Sequence, residues 1–183
     1  PLDSDEFYQA HLHSLGLKPM RHTREIRGLE QDRTTPSNFI GGWVEQSNGR
    51  PFPVEGSYSY FLAQQAVAKL DSALARNSGP VFIQLDLFDP HQPFTIPGGF
   101  EQRERELRAA CESLPQSYRD IAAANWKPDP AQGRIYDLYR RYWGLYDART
   151  VIDYRVAHAL QMEIVDGAIG LFVQELKRRG LYD

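Results

Sequence analysis

The residues best suited to chemistry are Asp89 and His91, in the run Asp89-Pro90-His91-Gln92-Pro93-Phe94. A proline fixes its own φ and biases the residue before it away from helical geometry. The loop is therefore predicted to be stiff, with His91 between two rigid points. A rigidly held imidazole can stabilise charge or donate a proton to a ligand oxygen. The spacing alone leaves open an ordinary Asx-Pro turn with an incidental surface histidine.

A metal site built from Asp86, Asp89 and His91 is a weaker hypothesis, because hard cations need several oxygen ligands. Asp89 and His91 would face the same side only if the chain stays extended. The single cysteine, Cys111, excludes an internal disulfide and any site with several cysteines. We therefore predict no metal ligands in this sequence.

A strand and several helices are predicted to position this loop. Residues 81–88 are almost continuously apolar, which predicts a strand buried on both faces. The loop follows its carboxyl end, where ligands bind in open α/β sheets. Before it, residues 16–57 are rich in proline and glycine and are predicted to form loops. Apolar residues at helical spacing predict helices over residues 3–15, 58–76, 101–126 (with a break near Pro115), 135–146 and 150–179.

The two last helices carry more specific expectations. The stripe Tyr136, Tyr139, Trp143 and Tyr146 is typical of helix packing, with a sugar-stacking platform as the alternative. The final helix is predicted to end at Gly180, a residue suited to the position after a helix. One face of it is predicted to be buried, formed by Ile152, Val156, Ala159, Met162, Val165, Ile169, Phe172 and Leu176.

Composition sets limits on the function. The chain has 183 residues, enough for one sizeable domain, and a net charge of −3. That charge gives no support to nucleic-acid binding, which favours a basic excess. The sequence has no run of about 18 apolar residues, so no membrane partner is expected. Nothing in the composition indicates a compartment.

Two stretches resemble the sulfatase family of the alkaline-phosphatase superfamily. Residues 81–94, VFIQLDLFDPHQPF, are similar to an apolar strand followed by that family's Pro-His-x-Pro-Phe-like loop. The tail is similar to a family helix that carries Asp and Ile-Gly and ends in Gly-Leu-Tyr, here Asp166, Ile169, Gly170, Gly180, Leu181 and Tyr182. With a weaker likeness upstream, the resemblance covers about residues 53–183.

This resemblance implies an α/β fold: a mainly helical piece with one or few parallel-sheet strands, part of an alkaline-phosphatase-like sandwich. Residues 1–56 would be a loop-rich segment with a short helix, and residues 57–183 the central part of the catalytic domain. The implied activity is hydrolysis of sulfate esters of small molecules or carbohydrates by a formylglycine nucleophile and a divalent cation, usually calcium. His91 would be the catalytic and substrate-binding residue.

The sequence departs from the family pattern in its nucleophile and metal segments. It contains no Cys/Ser-x-Pro-x-Arg motif, and the residues after Cys111 do not supply one. We therefore expect these 183 residues alone to be inactive and to bind no metal, the missing groups coming from a longer polypeptide. A phosphonate or phosphodiester hydrolase and a non-catalytic helical interaction domain are the alternatives. Open strand edges would favour association, so a homo-oligomer is among the expected partners.

Overall fold

The computed structural model describes residues 5–18, 52–76, 79–91, 94, 96–111 and 148–182. Four α-helices are present in them: α1 (Glu6–Ser14), α2 (Tyr58–Arg76), α3 (Glu101–Cys111) and α4 (Ala148–Arg178). A 3₁₀ turn, Val54–Gly56, precedes α2. The helices predicted at 3–15, 58–76 and 150–179 are confirmed, as is the first part of 101–126. Residues 112–126 and the aromatic stripe of 135–146 lie outside the described residues.

Helix α1 is fixed at both ends and packs onto α2. The Asp5 carboxylate caps its start by accepting from the N–H groups of Phe7 and Tyr8. Gly16 follows the helix with a φ of +70°, a conformation that glycine adopts at little cost. The buried side chains of one cluster join the two helices: Tyr8, Leu12, Leu17, Phe52 and Phe61.

Helix α4 is the longest element and packs against both α2 and α3. Its carboxyl end is closed by two hydrogen bonds of 3.0 Å, from Gly180 N to Lys177 O and from Leu181 N to Leu176 O. Gly180 has a φ of +67°. This is a Schellman ending, so the predicted stop at Gly180 is confirmed. Arg179 then donates to both carboxylate oxygens of Asp71, at 2.7 and 2.8 Å, and so ties the end of α4 to α2.

The buried face of α4 differs from the predicted stripe. Met162 and Ile169 were expected inside but are 46% and 44% exposed. Val156 and Val165 of the predicted stripe are buried. Because α4 contacts two helices at once, its buried surface is broader than a single stripe. It also includes Ala157, Leu160, Gln161, Ile164 and Ala168.

The predicted α/β fold is wrong for the part of the chain that the structure describes, which contains no β-strand and no sheet. Exposure alternates along residues 81–88, as in an extended chain, but they pair with no strand among the residues that the structure describes. Burial on both faces is also wrong, since Phe82 is 88% exposed and Phe88 is 47% exposed. An apolar run indicates β-propensity, but a strand also needs a neighbouring backbone, which the run does not supply.

Residues Val151–Arg178 of α4 are long and apolar enough to cross a membrane by length and composition alone. Core helices have the same properties. Here Ala157, Leu160 and Ile164 are buried, and the helix packs against α2 and α3. This packing covers part of the apolar surface of α4, while Met162 and Ile169 on the same helix stay exposed.

Candidate functional site

The site begins where the extended residues 81–88 turn at Asp89. The Asp89–Pro90 peptide is cis, and the His91 N–H donates to Phe88 O at 3.2 Å. The His91 ring lies beside that of Phe88, with 4.6 Å between centroids and a tilt of 37°. His91 itself is exposed. The turn therefore presents an imidazole to solvent on an aromatic support.

The Asp89 side chain points the other way, into the protein. Its carboxylate accepts a hydrogen bond from Ser59 Oγ, and Ser59 is completely buried near the start of α2. Burial raises the pKa of the Asp89 carboxyl, while the Ser59 hydrogen bonds, the Gln161 amide and the charge of His91 oppose that rise. The carboxylate thus anchors the turn to α2.

Gln161 of α4 lies next to this anchor and is itself 0% exposed. Its amide is near enough to lower the pKa of Asp89. Neither Nε2 nor Oε1, however, has a partner in hydrogen-bonding geometry within the described part of the chain. Ser59 is therefore the hydrogen-bond partner of Asp89, and the Gln161 amide acts on the carboxylate as a nearby dipole.

A tyrosine cluster holds the start of α2 in place. Tyr8 donates its hydroxyl proton to Gly56 O at 2.8 Å, and Tyr58 donates to an Asp5 carboxylate oxygen at 3.1 Å. The two tyrosine rings meet edge to face, 4.9 Å apart. Burial and nearby carboxylates raise the pKa of Tyr58 to about 12. Both hydroxyls therefore stay protonated at neutral pH and keep α1 joined to the turn before α2.

The far end of the loop is anchored by Phe94. Its side chain is 0% exposed and packs against α4 beside Ala157. Its ring meets those of Tyr154 and His158 edge to face, at 5.3 and 5.7 Å. His91 thus lies between two anchoring side chains, the half-buried Asp89 and the buried Phe94. The prediction attributed this stiffness to two prolines, of which Pro93 lies outside the described residues.

A small cavity of about 60 Å³ lies between α3 and α4, apart from His91. Its apolar wall includes Ile96 and Leu160. At its polar side, Arg108 pairs with Asp153 and, at 3.0 Å, with Glu104. The arginine is satisfied by these two carboxylates, so this cavity is a packing defect beside an ion-pair network and does not add to the site.

The residues weighed as metal ligands do not converge. The Asp86 carboxylate accepts from Gln84 Nε2 at 2.9 and 3.2 Å on the exposed side of the extended segment, whereas Asp89 points inward to Ser59. No group of three or more His, Cys, Asp or Glu side chains suited to a metal ion is present among residues that the structure describes.

Sequence reasoning singled out His91 and considered Asp89 only within a metal site that it set aside; it missed Ser59, Gln161 and the anchoring role of Phe94. Ser59 and Gln161 are polar residues on the buried faces of apolar helices. Such a position is the one signal that would have indicated a partner, because buried polar groups need hydrogen bonds. Comparison with protein families, characterised proteins and solved structures finds no match to this chain.

Proposed function

We propose that this chain contributes a substrate-contacting histidine, His91, to a sulfatase-type hydrolase acting on small-molecule or carbohydrate sulfate esters. The observation that carries the proposal is an exposed imidazole on a loop anchored on one side by the half-buried Asp89, which is bonded to buried Ser59, and on the other side by the buried Phe94. An anchored loop keeps its donor in place as a ligand arrives, which favours binding of a charged oxygen. The sulfate itself is suggested by the sequence motifs around His91 and in α4.

The two polar residues of the turn would have different roles. A ring nitrogen of His91 would contact a sulfate oxygen or the leaving-group oxygen, where a protonated imidazole stabilises charge and can give up its proton. Asp89 points away from that space and is bonded to Ser59. Asp89 is therefore a positioning residue, which acts by fixing the backbone that carries His91.

The nucleophile and the metal would come from outside these 183 residues. Formylglycine supplies covalent catalysis in this family, and a divalent cation, usually calcium, neutralises the sulfate oxygens. The sequence contains no formylglycine motif, and the described residues offer no cluster that fits a metal. We accordingly expect the 183-residue chain to show no sulfatase turnover, with or without added calcium.

The second candidate is a non-catalytic helical interaction domain. The mainly helical architecture of the described residues favours it. A self-contained domain of this kind should leave no large apolar side chains in water, and Phe82 and Phe88 do not fit that expectation. A phosphonate or phosphodiester hydrolase would also bind an anionic tetrahedral ester. Comparing the binding of a sulfate ester with that of a phosphonate ester distinguishes such an enzyme from a sulfatase.

Calorimetric titration of the chain with 4-nitrophenyl sulfate and, separately, with a phosphonate monoester tests the proposal. We expect saturable binding of the sulfate ester and at least about tenfold weaker binding by His91→Gln, the loss of one charged hydrogen bond. The matched control is His13→Gln, an exposed histidine on α1. Tighter binding of the phosphonate would favour the phosphorus enzyme. No binding, or equal binding by His91→Gln and wild type, would contradict the proposal.

A further inference from the structure

Residues 81–88 form an extended segment that is paired with no other strand in the described part of the chain. Within the described residues, the segment has one bonded backbone group, Phe88 O, which accepts from His91 N. The side chains at 81, 83, 85 and 87 are half-buried against the protein, and those at 82, 84, 86 and 88 are exposed. Unpaired backbone beside exposed phenylalanines is a template for another strand.

The exposed face of this segment is self-complementary about Leu85. Reading outward from Leu85, Gln84 on one side corresponds to Asp86 on the other, and Phe82 corresponds to Phe88. In an antiparallel pair of two identical segments centred on Leu85, each phenylalanine therefore meets a phenylalanine. Each Gln84 amide likewise meets an Asp86 carboxylate, the same donor–acceptor pair that the two make within one chain at 2.9 Å.

Other registers lose this match. Moving the centre to Gln84 places Phe82 opposite Asp86, and moving it to Asp86 places two like charges opposite each other. A parallel, in-register pair also aligns Asp86 with its own copy. A shift of the pairing by a single residue puts half-buried side chains opposite exposed ones. The Leu85-centred register is the one that satisfies both faces.

One edge of the segment is better suited to pairing than the other. In an extended chain, the N–H and C=O groups of alternate residues face opposite edges. The even-numbered edge carries Phe88 O, which is already bonded, and is flanked by Pro80 and Pro90, which have no N–H. On the odd-numbered edge, no backbone group of residues 81–87 is hydrogen-bonded to another described residue, so Leu85 would form a hydrogen-bonded pair with its copy. The phenylalanine pairs would then lie at the closer, non-hydrogen-bonded positions.

We propose that residues 81–88 pair antiparallel with the same segment of a second copy of the chain, in the register centred on Leu85. The arrangement is two-fold symmetric and closed, so it predicts a dimer and not a fibre. In it, position 91 of one chain faces position 79 of the other, which keeps the two His91 loops at opposite ends of the ribbon. The interface is independent of the activity proposed above.

Sedimentation equilibrium of the 183-residue chain tests the dimer. We expect a reversible monomer–dimer equilibrium. Gln84→Glu would place a carboxylate opposite Asp86 at two symmetric positions and raise the dimer dissociation constant about tenfold. Gln84→Lys, the matched control, would place opposite charges there and would not raise it. A monomer at all concentrations, larger assemblies, or equal effects of the two substitutions would overturn the proposal.

Disulfide cross-linking tests the register. In a Cys111→Ser background, Phe82→Cys and Phe88→Cys proteins are oxidised separately and as a mixture. Phe82 is 88% exposed, so its replacement should not disturb folding. We expect cross-linking in the mixture alone, because the two copies of position 82 lie six residues apart in register, about 20 Å. Cross-linking of either variant with itself, or none in the mixture, would exclude the Leu85-centred pairing.

Discussion

The hydrogen bond from Ser59 to Asp89 should be a large single contribution to the stability of the His91 loop. Ser59 is 0% exposed, and its hydroxyl donates to a largely buried carboxylate. Ser59→Ala removes the hydroxyl donor and leaves the backbone hydrogen bond from residue 59 in place. A hydrogen bond to a charged group contributes about 1.5–3 kcal/mol. The expected loss is therefore about 2 kcal/mol in the free energy of unfolding at neutral pH.

The loss should depend on pH with a definite sign. The Ser59 hydrogen bond lowers the pKa of Asp89, so its removal raises that pKa further. The Ser59 hydrogen bond favours the ionised form of Asp89. The destabilisation by Ser59→Ala is therefore largest at a pH where Asp89 is ionised and smaller at a pH where Asp89 is protonated. We expect the difference between Ser59→Ala and wild type to become smaller as the pH falls towards the ordinary aspartate value of 3.8.

Urea unfolding followed by circular dichroism, at neutral and acidic pH, measures both effects. Ser72→Ala is the matched control: Ser72 lies on the same helix, is exposed and donates to Ala68 O at 2.9 Å. We expect it to change stability by less than about 0.5 kcal/mol. Equal losses for the two variants, or a Ser59→Ala loss that grows on acidification, would refute the role given to Ser59.

Four further substitutions test the anchors and the packing around them. Asp89→Asn removes a carboxyl group whose pKa is raised in the folded protein. The stability that Asp89 contributes should therefore decline as the pH rises above 3.8, and the difference in unfolding free energy between wild type and Asp89→Asn should fall with it. A difference that stays constant with pH would contradict this expectation. Phe94→Ala empties a fully buried site and should cost about 3–5 kcal/mol by urea unfolding, whereas a loss near zero would show that the loop is not anchored there. Gly56→Ala places a Cβ 2.8 Å from a methyl group of the buried Leu17 and should destabilise the protein by about 1–3 kcal/mol. Gly170→Ala, inside α4, places a Cβ with no atom within 4 Å and should stabilise the protein by about 0.5–1 kcal/mol. Thermal melts that show the two effects with opposite signs would disprove the close packing at Gly56 and the open space at Gly170.

The helices could be predicted because each carries its own periodic pattern and its own end signals. Gly16 and Gly180 both follow their helices in the left-handed conformation that the sequence indicates. The buried face of α4 was less predictable: Gln161 is buried and Met162 is half exposed, because contact with two other helices decides which side faces inward. That choice is a property of the packing and not of one helix.

The strand prediction failed for a different reason. Residues 81–88 have β-branched and aromatic side chains and bend at Asp89 as expected, yet a strand exists only when another backbone accepts its hydrogen bonds. The turn at Asp89 that presents His91 is present, and the role of His91 stays a prediction. Ser59, which holds Asp89, lies 32 residues before His91 in sequence, and Phe94 lies 3 residues after it. No local sequence pattern links Ser59 to Asp89.

The most direct measurement of the central claim is an NMR titration of the histidine ring signals with 4-nitrophenyl sulfate. The account predicts that the His91 ring signals shift saturably, that those of His13 on α1 do not, and that Ser59→Ala weakens the response by loosening the turn at Asp89. Unmoved His91 signals, at ester concentrations that shift other residues of the chain, would contradict the assignment of His91 as the residue that contacts the sulfate ester.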